Sequence, residues 1–146
     1  MNPAKVYLVQ TDTTAGFLSQ NKEKLSLIKK RDKNKQFIIS VDSFDTLKKF
    51  TRVPKTHKKL IRRASKTTFV YANNLAIRVV KDERHLEFLR KIKWSYSTSS
   101  NESGKRFDES FVKDNAEIIL YTKYGFSENT PSVIIKCGKT AKERLR

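Results

Sequence analysis

Cysteine is nearly absent from this sequence. Cys137 stands alone, so no internal disulfide can form, and with only His57 and His85 beside it there is no ligand set of zinc-site spacing. The four glycines are too scattered for a Gly-rich dinucleotide fingerprint or a Lys-Ser/Thr phosphate loop, so a nucleotide would have to be held by other means. A G-x-S-x-G elbow and a metalloprotease helix motif are also missing, and neither histidine has the context of a Ser/His/Asp set. His57 reads as part of a basic surface and His85 as part of a helix wall. Long hydrophobic runs are lacking too. Val6–Val9 is far shorter than the apolar core of a signal peptide, and no later run approaches the ~18 residues of a membrane span, so the expectation is a soluble cytoplasmic protein.

Negative charge is the other scarcity. Against 15 acidic residues stand 32 Lys and Arg, giving +17 and a pI near 10.1, more than solubility demands, and a polyanionic partner is the first functional expectation. The excess is uneven, since from Thr46 to Lys81 there is no acidic residue at all. Lys48, Lys49, Arg52, Lys55, Lys58, Lys59, Arg62, Arg63 and Lys66 crowd that stretch, where no intrahelical ion pair can neutralise them. The cluster reads either as a solvated face or as a contact surface for a phosphate backbone. The second reading is preferred, and because no aromatic ladder interrupts the segment, a structured RNA such as tRNA suits it better than an unpaired strand.

What is present is a chain of 146 residues with 37% hydrophobic content gathered in short runs, which argues for one folded domain spanning 1–146 rather than for disorder. Strands and helices alternate. Strands are predicted at Lys5–Gln10, Gln36–Val41, Trp94–Thr98, Glu117–Tyr121 and Ser132–Lys136, and Asn73-Asn74 turns a hairpin between Thr67–Ala72 and Leu75–Val80. Helices are predicted from about Asn21 to Lys30, from the Asp42-Ser43 caps to Phe50, onward from Pro54, from Asp82 through Ile92, and near Asp108–Asp114. The Thr11–Gly16 stretch reads as a polar turn and Thr122–Thr130 as a loop. The order is that of an α/β fold, in which ligands bind in loops at strand ends.

Several strand-end clusters resemble the motifs of one family in order and spacing, over nearly the whole chain. Thr11-Asp12-Thr13 with Gly16-Phe17 is similar to an opening P-T-[DE]-T-x-Y-G-L, and Lys29-Lys30-Arg31 followed by Lys35 and FIISV to a K-x-R motif. Thr68-Phe69-Val70 and Ala76-Ile77-Arg78-Val79 resemble T-F-V and A-[VI]-R-V strands. Ser97-Thr98-Ser99-Ser100-Asn101-Glu102-Ser103-Gly104 matches an S-T-S-A-N-x-S-G loop at all but one defined position, and Pro131-Ser132-Val133-Ile134 resembles P-S-T-[IV], with Arg144 or Arg146 standing for a terminal arginine. The family is that of the threonylcarbamoyl-AMP synthases, the YrdC-like domain.

The resemblance implies a single-domain, twisted mixed β-sheet with flanking helices, here without the family's leading helix. It implies condensation of L-threonine, bicarbonate and ATP to threonylcarbamoyl-adenylate and pyrophosphate, with Mg2+ carried by ATP and no metal held by protein ligands. The product would pass to downstream tRNA threonylcarbamoyl-transfer proteins. Residue by residue, it assigns the ATP phosphates to Lys29, Arg31, Arg78, Ser99 and Asn101, and the threonine or carbamate to Thr13, Arg31 and Ser132. Thr98 and Arg144 would support the nucleotide. Gln10, Ala15 and Val133 depart from the family pattern at the opening proline, its aromatic residue and the second hydroxyl of P-S-T. These departures carry an alternative, a non-catalytic or substrate-altered paralogue that binds double-stranded RNA or tRNA.

Overall fold

The computed structural model describes residues 1–31 and 36–146. Its strands are β1 (Tyr7–Gln10), β2 (Ala15–Ser19), β3 (Ile38–Val41), β4 (Thr67–Val70), β5 (Ala76–Val79), β6 (Trp94–Ser99), β7 (Ile118–Ile119), β8 (Val133–Cys137) and β9 (Lys142–Arg144). The helices are α1 (Lys22–Lys29), α2 (Phe44–Phe50), α3 (Lys58–Arg63), α4 (Glu83–Ile92) and α5 (Glu109–Asn115), with a 3-10 turn at Lys55–His57. The nine strands form one mixed sheet in the order β7-β1-β2-β6-β3-β5-β4-β8-β9. No helix of the described residues is long and apolar enough to cross a membrane.

Local chemistry accounts for most helix starts. Asn21, Ser43, Asp82 and Asp108 each cap a helix by accepting a backbone N–H through the side chain, as short polar residues at this position do. The end of α1 is less ordinary. Lys30 adopts a left-handed conformation (φ 51°), its N–H meets Leu27 O, and the N–H of Arg31 meets Ser26 O, which together form a Schellman turn on a non-glycine residue.

Register divides the sheet into two unlike faces, because directly paired residues share a face and neighbours along a strand alternate. One face carries Leu8, Phe17, Ile39, Val41, Phe69, Ile77 and Cys137, which pack against Leu25 of α1, Leu47 of α2, Ile61 of α3 and Val112 of α5. On the other face, Tyr7, Val9 and Leu18 are covered by Leu86, Phe88 and Leu89 of α4, with Tyr7 and Phe88 ring centroids 5.1 Å apart. Further along that second face the aromatic and leucine side chains stop, and Ile38 and Ile134 are the large apolar residues that continue. Gly16, Ser97, Ser99, Ser40, Ala76 and Thr68 take the other places, leaving a floor mostly of small and hydroxyl residues around Arg78.

Several expectations are corrected. Ala15–Ser19 is a buried strand rather than the tail of a turn, because it pairs with both β1 and β6. The charged segment Lys142–Arg144 becomes β9 by folding back on β8. The hairpin between β4 and β5 exists, but its loop has three residues, closed by Tyr71 N–H to Leu75 O, and only Asn74 takes positive φ (65°). His57 is buried rather than part of the basic surface, since its Nε2 meets the Ala141 carbonyl at 3.1 Å beneath the β8–β9 turn.

Candidate active site

The floor of small residues opens into a cavity of about 430 Å³. Three guanidinium groups line it, from Arg31 after α1, Arg78 of β5 and Arg146 after β9, with hydroxyls of Thr11, Thr13, Ser99 and Ser132 between them. Gly16 sits in this floor because a Cβ there would lie 3.1 Å from the Thr98 carbonyl and 3.3 Å from Leu18 Cδ1, so β2 and β6 approach this closely only without a side chain.

Each arginine is held differently. Arg78 is buried; its Nη1 donates to Thr13 Oγ1 at 3.3 Å and lies 3.4 Å from Asp12 Oδ1, without hydrogen-bond geometry on the carboxylate. Its Nε has no partner among the described residues. Arg146 donates from Nε to the Ser132 carbonyl (2.9 Å) and from Nη2 to Ser132 Oγ (3.1 Å), and that hydroxyl is 3.0 Å from Thr68 Oγ1. Arg31 stacks over the Phe37 ring at 5.1 Å, an arrangement suited to a planar cation. Burial lowers the pKa of Arg78 and of Arg31; Asp12 pulls Arg78 back up and Arg146 lowers it further. The cavity therefore concentrates positive charge that an entering anion would relieve.

Lys29 works from behind. Only 3% exposed, it donates from Nζ to the carbonyls of Ser99 (3.1 Å) and Asn101 (2.5 Å), and its own carbonyl accepts from Ser103 Oγ at 2.8 Å. Burial, and secondarily Arg31, push its pKa down to about 8. Asn101 donates from Nδ2 to the carbonyls of Glu102 and Lys105, closing the Ser/Asn loop on itself. The left-handed Lys30 thus sends two neighbouring cations to separate tasks, Lys29 to the loop and Arg31 to the cavity.

Of the residues singled out in the sequence, Thr13, Arg31, Arg78, Ser99 and Ser132 meet at the cavity; Thr98 borders it but pairs with Phe17 on the opposite sheet face, and Lys29 and Asn101 build the loop wall. Arg144 does not meet them. It points to solvent from β9, where it pairs with Ile135, and Arg146 occupies the cavity instead. Lys35 lies outside the described residues. The basic cluster from Lys48 to Lys66 belongs to α2, the 3-10 turn with its approach, α3 and the approach to β4, on the sheet face opposite the cavity floor. The expectation that no intrahelical ion pair neutralises it is corrected at one point, since Lys48 Nζ lies 3.3 Å from Asp45 Oδ1 within α2. No signal in the sequence links Asp12 to Arg78, which only the tertiary fold brings together, whereas Thr11 meets Thr13 within one local turn. Among the described residues, no cluster of His, Cys, Asp and Glu could hold a metal ion.

The sequence model of the Sua5/YciO/YrdC family, described as telomere recombination, matches residues 3–146. The chain belongs to the Sua5/YciO/YrdC family. Solved structures of the family share its fold. A variant of P. abyssi Sua5 superposes with a TM-score of 0.82 at 18% identity over 98% of this chain and 49% of its own. P. abyssi Sua5 complexed with L-threonine gives 0.79 at 19% identity over 98% and 50%. E. coli YciO gives 0.77 at 16% identity over 98% and 82%. The chain thus spans about half the length of P. abyssi Sua5. No curated protein sequence matches it. The mixed sheet with flanking helices expected from the motifs is that of the Sua5/YciO/YrdC structures.

Proposed function

We propose that this chain is a threonylcarbamoyl-AMP synthase, condensing L-threonine, bicarbonate and ATP to threonylcarbamoyl-adenylate and pyrophosphate. The observation that carries the reading is the convergence of Arg31, Arg78 and Arg146 with the hydroxyls of Thr13, Ser99 and Ser132 around one cavity. A triphosphate and an amino-acid carboxylate are the anions that a cluster of guanidinium forks suits, and the hydroxyls suit the smaller polar groups of threonine and its carbamate. That P. abyssi Sua5 was solved with L-threonine supports the choice of amino acid.

The chemistry needs no side-chain nucleophile. The amine of threonine attacks CO2 derived from bicarbonate and loses a proton, giving the carbamate. A carbamate oxygen then attacks the α-phosphorus of ATP, and pyrophosphate leaves with the electron pair of the broken P–O bond. Positioning and charge neutralisation supply the catalysis, with Arg31, Arg78 and Arg146 on the phosphate and carboxylate groups. ATP enters with its own Mg2+, which neutralises phosphate charge. Lys29 and Asn101 hold the Ser/Asn loop against the nucleotide, and Thr13 and Ser132 orient threonine.

The test is incubation of the protein with magnesium, ATP, L-threonine and bicarbonate, followed by mass spectrometry and an assay of threonine-dependent pyrophosphate release. Product is expected from the wild type and is expected to be lost in Lys29→Ala and Asn101→Ala. Normal activity in either variant would refute the assignment of the loop, and no product from folded protein beside an active synthase would refute the reading itself.

A second reading is favoured by a separate observation, the nine cations between Lys48 and Lys66, a stretch without an acidic residue that runs from α2 through the 3-10 turn and α3. It is a substrate-altered or non-catalytic paralogue holding tRNA or double-stranded RNA through that face. Changing Lys58, Lys59, Arg62 and Arg63 to Glu would then weaken RNA binding and flatten its dependence on salt. Unchanged binding would leave the cluster as a solvated face.

A further inference from the structure

The segment between β7 and β8 contains Tyr121-Thr122-Lys123-Tyr124-Gly125-Phe126, three aromatic rings in six residues. Tyr121 is 71% and Tyr124 74% exposed, whereas Phe126 is half buried and packs on the cluster under α1 and α5. Single exposed aromatic side chains are common; two so close together, built on a third, are not. The Tyr121 and Phe126 centroids are 6.0 Å apart, and Lys123 Nζ lies 5.0 Å over the Tyr124 ring. The turn is defined by its own bonds, Gly125 N–H to Thr122 O (3.1 Å) and Thr122 Oγ1 to Gly125 O (3.1 Å), with Gly125 at φ 71°.

This turn is tied to the rim of the cavity. Ser127 O accepts from Ala15 N–H at 3.1 Å, Ser127 N–H donates to Gln10 Oε1 at 2.9 Å, and Thr14 bridges to Glu128. Glu128 also accepts the N–H of Phe107, which places the exposed Arg106 on the adjoining segment. The exposed rings therefore stand on a turn anchored to the cavity rim, with Lys123 beside Tyr124, on a protein of charge +17.

We propose that the Tyr121–Phe126 turn is a stacking platform for unpaired nucleobases of an RNA. Aromatic rings exposed to solvent, with Lys123 beside one of them on a strongly cationic protein, match a ligand that is itself flat, apolar in face and joined to phosphates. Paired bases hide their faces in the helical stack, so the platform selects loops and single strands, unlike a purely phosphate-binding surface. The platform lies on residues outside the adenylation chemistry and holds whether or not the cavity makes an adenylate.

The test is fluorescence anisotropy with a labelled RNA hairpin, the same hairpin with an abasic loop, and a blunt duplex of equal phosphate count. Wild-type protein is expected to prefer the base-bearing loop over the abasic one by about tenfold, within the range of base–aromatic stacking. Tyr121→Ala with Tyr124→Ala is expected to abolish that preference while leaving duplex affinity and its salt slope unchanged. The corresponding double change to Phe is expected to retain it, because the ring and not the hydroxyl does the stacking. Both tyrosines are exposed, so the variants are expected to keep the wild-type circular dichroism. The proposal is overturned if wild-type protein binds base-bearing and abasic loops equally, if the alanine variant keeps the preference, or if it loses duplex binding to the same extent.

Discussion

Arg78→Met is the most informative single perturbation of the cavity. The Arg78 and Asp12 side chains are 5% and 8% exposed and 3.4 Å apart. Methionine fills most of the space of the arginine stem, so packing changes little, but Asp12 is left as a buried carboxylate without its counter-charge. Removing one member of a buried pair costs about 3–5 kcal/mol. Two features reduce that here: the contact lacks hydrogen-bond geometry, and removing Arg78 also relieves its repulsion with Arg146. A loss of about 3 kcal/mol follows, which for a chain of this length lowers the Tm by roughly 10 °C. Urea denaturation followed by circular dichroism measures it, with an unchanged m-value indicating that the fold is kept. Adding Asp12→Asn removes the orphaned charge and is expected to restore about 2 kcal/mol. A loss below about 1 kcal/mol in the single variant, or a double variant no more stable than the single, would refute the claim that the pair supports this wall of the cavity.

Two further predictions concern buried bases whose protonation the fold opposes. His85 is fully buried on α4, with both ring nitrogens unpartnered among the described residues, and burial, assisted by Arg78, pushes its pKa down to about 3. The unfolded chain takes up that proton first, so stability falls as pH drops from about 6.5 toward 3. His85→Phe is expected to lose less stability across this window in parallel denaturation curves; identical pH profiles would contradict the assignment. Lys29 shows the same logic at alkaline pH. Its folded pKa of about 8 lies below the ordinary 10.5, so the wild type is expected to gain stability relative to Lys29→Met as pH rises through that interval. A difference that stays constant or shrinks would show that the charge on Lys29 is not opposed by its surroundings.

Much of this architecture was legible in the chain because its causes are local. The caps Asn21, Ser43, Asp82 and Asp108, the αL-tolerant Asn74 and the β-branched runs around it announce elements through their own backbone chemistry. The Ser97–Gly104 loop and the Lys29–Arg31 pair were likewise recognisable as a spaced set of residue types. What could not be read were elements whose conformation is imposed by partners distant in sequence. Ala15–Ser19 lacks a strong strand signal and is extended because β1 and β6 flank it, and Lys142–Arg144 is all charge, extended only because β8 offers its edge.

The same division runs through the candidate site. Sequence alone determined the charge, the residue types and the family resemblance. Only the tertiary structure decided that Arg146 rather than Arg144 reaches the cavity, that Lys29 faces the loop carbonyls while Arg31 faces the cavity, and that the basic cluster lies on the other face of the sheet. The physical reason is that strand pairing and the left-handed turn at Lys30 set side-chain direction, and that beyond Arg144 the regular pairing with β8 breaks, the N–H groups of Leu145 and Arg146 both meeting the Ile134 carbonyl, so Arg146 leaves the face that Arg144 serves.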